Sequence, residues 1–115
     1  MLCDEQPLTI QTLVNKVAEI TDVEVVIDYE AVLPESVDGS TCLVAGRALI
    51  SVSENSLQPE FTLLHELAHL ALGHCSMIRH SCSDDVERQA NALASRWAAL
   101  IQTGELRKDI AMVFS

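Results

Sequence analysis

Apolar residues recur at helical spacing near the start of the chain, where Ile10, Leu13, Val14, Val17 and Ala18 share one face. Thr9 stands where its hydroxyl can cap the first turn, and Thr21–Asp22 breaks the pattern. The run Val23-Glu24-Val25-Val26-Ile27-Asp28-Tyr29 is β-branched and partly alternating, which reads as a strand. Pro34 and the Asp38–Gly39 pair mark an irregular connection. Thr41–Ala45 and Ala48–Ser53 then read as two strands flanking a two-residue turn at Gly46–Arg47. Asn55 to Pro59 is a loop whose proline is placed to open a helix.

The next helix, from about Glu60 to Gly73, is apolar on most of its surface, so it belongs inside the molecule. Gly73 suits its C-terminus. Ser83 or Asp84 can cap a further helix over roughly Asp85–Gln102, whose stripe is Val86, Ala90, Leu93, Ala94, Trp97 and Ile101. Gly104 ends it, and Glu105–Phe114 reads as a short final helix. The expected architecture is α+β: an N-terminal helix, a small β-sheet and two helices packed on it. With no repeat, low-complexity run or linker, residues 1–115 are expected to form one domain.

Composition narrows the setting. Hydrophobic residues make up 49% of the chain but aromatics only 3%, so the core must be aliphatic. The formal net charge of −10 disfavours a phosphate backbone and favours a basic partner, so no direct nucleic-acid binding is expected. No apolar stretch is long enough to span a membrane. The N-terminal MLCDEQPL has neither a basic nor an apolar signal region, so a cytoplasmic chain is expected. Cys3, Cys42, Cys75 and Cys82 should then be thiols or metal ligands.

The chemistry sits in the apolar helix. His65-Glu66-Leu67-Ala68-His69 is an H-E-x-x-H motif, expected by chance about 0.01 times in a chain with four histidines. Residues four apart on a helix share a face, so the two imidazoles can converge on one Zn²⁺. Glu66 stands one step round, able to reach a water on the metal without binding the metal itself. A catalytic zinc usually takes three protein ligands, and Glu87, eighteen residues after His69, is the candidate third. On spacing alone Glu87 is equally an N-terminal carboxylate favoured by the helix dipole. Asn91 follows at i+4 and is a candidate to hydrogen-bond the far nitrogen of a ligating imidazole, or else is a solvated helix residue. Cys75 is a rival third ligand, ten residues after His65, but Leu72 occupies the position where the longer motif requires glycine. His74, Cys75, His80 and Cys82 match no common structural zinc spacing. They are either buried thiols with loop histidines or a redox- or zinc-responsive gate over the cleft. Arg47 and Arg79 are candidates to steady an oxyanion, but nothing in the sequence places them.

The segment Phe61-Thr62-Leu63-Leu64-His65-Glu66-Leu67-Ala68-His69-Leu70-Ala71-Leu72-Gly73-His74 resembles the active-site helix of the ImmA/IrrE family of bacterial metallopeptidases. Glu87-Arg88-Gln89-Ala90-Asn91-Ala92-Leu93-Ala94 is similar to the family's second motif, an E-x-x-A-N helix whose Glu is the third zinc ligand. The upstream strand ending Ala48-Leu49-Ile50-Ser51-Val52 also suits the family, and the resemblance spans about residues 20–100. It implies a small zincin-like fold, with His65, His69 and Glu87 as zinc ligands and Glu66 as general base. It also implies a protein substrate, a basic helix-turn-helix repressor controlling mobile-element or stress genes. The family's second motif commonly runs on to a Met-Pro pair, whereas Ser95-Arg96-Trp97-Ala98-Ala99-Leu100-Ile101 stands here. That departure keeps a second expectation open: a zinc-stabilised binding module, such as a toxin–antitoxin or phage-immunity partner, that holds its target without cutting it.

Overall fold

The computed structural model describes residues 9–73 and 84–103. Helix α1 spans Ile10–Thr21, strands β1, β2 and β3 span Glu24–Ala31, Gly39–Val44 and Arg47–Ser53, and helices α2 and α3 span Pro59–Ala71 and Asp84–Thr103. The fold is α+β, as the sequence pattern predicts. The Glu105–Phe114 helix and the capping role of Ser83 lie outside the described residues.

Helix α1 starts with a reciprocal cap. The Thr12 backbone N–H donates to the Thr9 hydroxyl oxygen at 3.2 Å, and the Thr9 N–H donates to the Thr12 hydroxyl at 2.9 Å. Asp22 ends the helix in the left-handed conformation, with φ 58°. The chain then enters β1, and Leu13, Val14 and Val17 face the core.

The sheet order is β1-β3-β2. β3 takes the centre because its inward residues, Ala48, Ile50 and Val52, are all fully buried. It pairs antiparallel with β2 and parallel with β1, with Val26 opposite Leu49 and Ile27 opposite Ile50 on the parallel side. The parallel pairing was not legible in the sequence. It forces the segment after β1 to pass beyond β3 before β2 returns as a hairpin. The Ser53 N–H donates to the Asp38 carbonyl at 2.7 Å, pinning the end of that crossing beside the end of β3.

The hairpin turn is Ala45–Gly46, one residue earlier than the Gly46–Arg47 turn the sequence suggested. Both turn residues have positive φ, 52° and 77°, as the twist-compatible two-residue turn demands. Shifting the turn puts Arg47 into β3, where its guanidinium pairs with Glu24 at 3.0 Å across the parallel strands. That pair is on the sheet's outer face.

α2 is the structural centre. Pro59 opens it without leaving an unsatisfied donor, and Gly73, at φ 79°, follows its C-terminal end. Leu63, Leu64, Leu67, Ala68 and Leu70 are buried, in contact with the sheet, α1 and α3. α3 contributes Ala90, Ala94 and the fully buried Trp97. No helix among the described residues is long and apolar enough to cross a membrane.

The turn yields a stability prediction. Left-handed backbone costs a non-glycine residue about 1–2 kcal/mol, a cost asparagine largely escapes. Ala45→Asn is expected to raise the unfolding free energy by about 0.5–1 kcal/mol, read as a higher denaturant midpoint at constant slope.

Candidate metal centre and cleft

The buried helix α2 carries three polar side chains on the surface that α3 and β2 approach. His65 and His69 are one turn apart, and α3 brings Glu87 from its first turn to face them. Nε2 of His65 lies 3.1 Å from Oε1 of Glu87, and Nε2 of His69 lies 3.4 Å from Oε2. The two Nε2 atoms are 3.1 Å apart, with the rings edge-on at 86°. His69 is 2% exposed, so its imidazole is enclosed by protein.

These distances have a physical meaning. Ligand atoms arranged tetrahedrally at 2.0–2.1 Å from one ion are about 3.3–3.4 Å from each other. The two Nε2 atoms are 3.1 Å apart and approach different oxygens of Glu87 at 3.1 and 3.4 Å, and with one donor atom from each residue all three lie within 4.8 Å of one another. Among the described residues, the lining of the surrounding cleft includes Asp38, Glu66 and Glu87 but no lysine or arginine. Two imidazole nitrogens and a carboxylate converging in an acidic cleft form a donor set for a divalent cation. The residues present fit such an ion.

Glu66 lines the same cleft. It is 7% exposed, and the Thr41 hydroxyl donates to its Oε1 at 2.7 Å, with a longer approach of 3.4 Å to its main-chain carbonyl. The cleft encloses about 450 Å³, walled by the β2 side of the sheet, the His65 face of α2 and the first turns of α3.

The structure brings the candidate residues named from the sequence together. His65, Glu66, His69 and Glu87 meet in one cleft, and Asn91 lines it from the next turn of α3. Asn91 is exposed at the edge of the cleft. His74, Cys75, His80, Cys82 and Arg79 lie outside the described residues. Arg47 is engaged with Glu24 and is absent from the cleft lining. The sequence reading missed Thr41 and Gly39. Their only signal was alternation, which puts residues two apart on one face of a strand.

The family model for the IrrE N-terminal-like domain, peptidase M78, matches residues 20–110. The chain belongs to this family. The match contains β1 through α3, and therefore both helices that supply the donor triangle of this M78 domain. M78 is a metallopeptidase family, so the converging triangle and the family point to the same chemistry. No curated protein and no solved structure significantly matches the chain.

The triangle predicts metal binding directly. Purified protein is expected to hold one divalent ion per chain by elemental analysis, and His65→Ala or His69→Ala to hold none. Glu87→Ala should weaken binding by at least about tenfold, since even residues that only orient metal ligands are worth 10–100-fold. Wild-type affinity in Glu87→Ala would remove it from the ligand set.

Proposed function

We propose that this M78 domain is a zinc-dependent endopeptidase of the cytoplasm that cuts a basic, helix-turn-helix repressor. The observation that carries the reading is the triangle of His65, His69 and Glu87 with the Glu66 carboxylate beside it in the same cleft. A zinc ion held by those three residues supplies Lewis acidity, polarising a carbonyl and making water acidic near neutral pH.

The chain's own groups do the rest. Glu66 accepts a proton from the water as its oxygen bonds to the amide carbon, and then delivers that proton to the nitrogen, so that the C–N bond breaks and the amine leaves. Its position next to His65 on the helix, held by Thr41, suits a base that does not bind the ion. Asn91 lines the cleft, where its amide can hydrogen-bond a substrate main chain or be drawn onto a ligating imidazole. Asp38 adds to the negative charge of the cleft, and the formal net charge of −10 attracts a cationic polypeptide. The repressor as substrate class rests on the family resemblance, and the acidic surface agrees with it.

The test pairs Glu66→Gln with wild type, both zinc-loaded, on a randomised peptide library read by mass spectrometry and on purified helix-turn-helix repressors. Glu66→Gln is expected to keep one zinc per chain and lose cleavage by about 10²–10⁴-fold. Equal cleavage by the two proteins would overturn the mechanism. Repressor bound in a stable, zinc-dependent complex but left intact by wild type would instead identify a binding module.

A further inference from the structure

The strand that walls the cleft does more than enclose it. Gly39 and Thr41 are two apart on β2, so they share the face turned toward α2. A Cβ built on Gly39 would sit 2.7 Å from the Thr62 methyl, 3.1 Å from the Ser51 carbonyl and 3.2 Å from Cγ of Glu66. No side chain fits there without displacing its neighbours. The absence of one lets β2 lie directly against the helix turn that carries Glu66.

That approach sets Thr41 in reach. Its hydroxyl donates to Oε1 of Glu66 at 2.7 Å, the short range of a bond to a charged carboxylate. Thr41 is itself a stiff donor. It is β-branched, so few χ1 rotamers are open to it, and its backbone is paired with Ile50 of the central strand. Glu66, by contrast, is a long side chain whose rotamer freedom is worth about 1.5–2 kcal/mol when fixed. A general base must lie within hydrogen-bond reach of the proton it takes, and a misplacement of about 1 Å can cost 100-fold in rate.

We infer that Thr41 is a positioning residue for Glu66: seated by the Gly39 contact, its hydroxyl fixes one carboxylate oxygen of Glu66 and so aims the carboxylate at the metal centre. The inference rests on the proposed role of Glu66 and extends it to a strand 25 residues away in sequence. Thr41 touches neither the donor triangle nor the reacting atoms. It acts through the orientation of another side chain, and the contact needs only an O–H, so serine can supply it.

The experiment compares Thr41→Val, Thr41→Ser and Glu66→Gln by two readouts. The first is the visible d–d spectrum of the Co²⁺-loaded protein, which responds to groups at the metal centre and needs no substrate. Glu66→Gln is expected to move the bands, Thr41→Val to move them in the same direction, and Thr41→Ser to leave them as in wild type. All three should keep one ion per chain and a wild-type unfolding midpoint to within a few degrees. The second readout is steady-state cleavage of the library peptide that wild type cuts fastest. Thr41→Val should lose about tenfold or more in kcat with KM within twofold, Thr41→Ser should recover most of it, and Thr41→Val should cost nothing further in a Glu66→Gln background.

Bands and kcat at wild-type values in Thr41→Val, with Glu66→Gln altered in both, would overturn the positioning role and leave the reading of Glu66 intact. Bands unmoved in Glu66→Gln would show that Glu66 does not face the metal centre, and the role of Thr41 would fall with it. A Thr41→Ser variant as impaired as Thr41→Val would mean that the methyl group, not the hydroxyl, matters.

Discussion

A helix that must be buried, yet carries two imidazoles and a carboxylate, sets the terms for everything around it. Leu63, Leu67 and Ala68 place α2 inside the molecule, and His69 and Glu66 go in with them. Polar groups taken from water without partners cost several kcal/mol. The rest of the fold supplies those partners. α3 brings Glu87 to the histidines, and β2 brings the Thr41 hydroxyl to Glu66. The two partners come from opposite sides, and the gap between them is the cleft.

The helical part of this arrangement was legible because helices announce themselves locally. Periodicity, the Thr9 cap and the Gly73 terminator depend on residues within a turn or two of each other. H-E-x-x-H is likewise local, and the E-x-x-A-N motif identified Glu87 once both motifs were taken together. Spacing alone left Glu87 indistinguishable from a dipole-favoured acid, since 22 residues separate it from His65 and only tertiary packing brings them together. The strands were harder. Alternation marked where they lie but carried nothing about which pairs with which, so the parallel β1–β3 pairing went unseen. The turn falls one residue before the position its glycine suggests, because the sheet's twist is matched by left-handed residues at both Ala45 and Gly46.

Charge ties the site to its surroundings. Among the described residues the cleft lining includes the acids Asp38, Glu66 and Glu87 and no lysine or arginine. Like charges in a partly enclosed space repel unless a cation joins them, so these acids favour a divalent ion in the cleft. The ion pair of Glu24 with Arg47 is exposed on the sheet's other face, where such a pair contributes little to stability.

The placement of Glu87 at the start of α3 has a consequence for how the molecule is made. A chain leaves the ribosome from its N-terminus, so both imidazoles are synthesised before the carboxylate that completes their triangle. Until α3 has emerged and docked on α2, the nascent polypeptide has only two of the three donors, and the apolar side of α2 lacks its cover. The donor triangle is therefore completed only when α3 docks, in the same event that closes the core around α2.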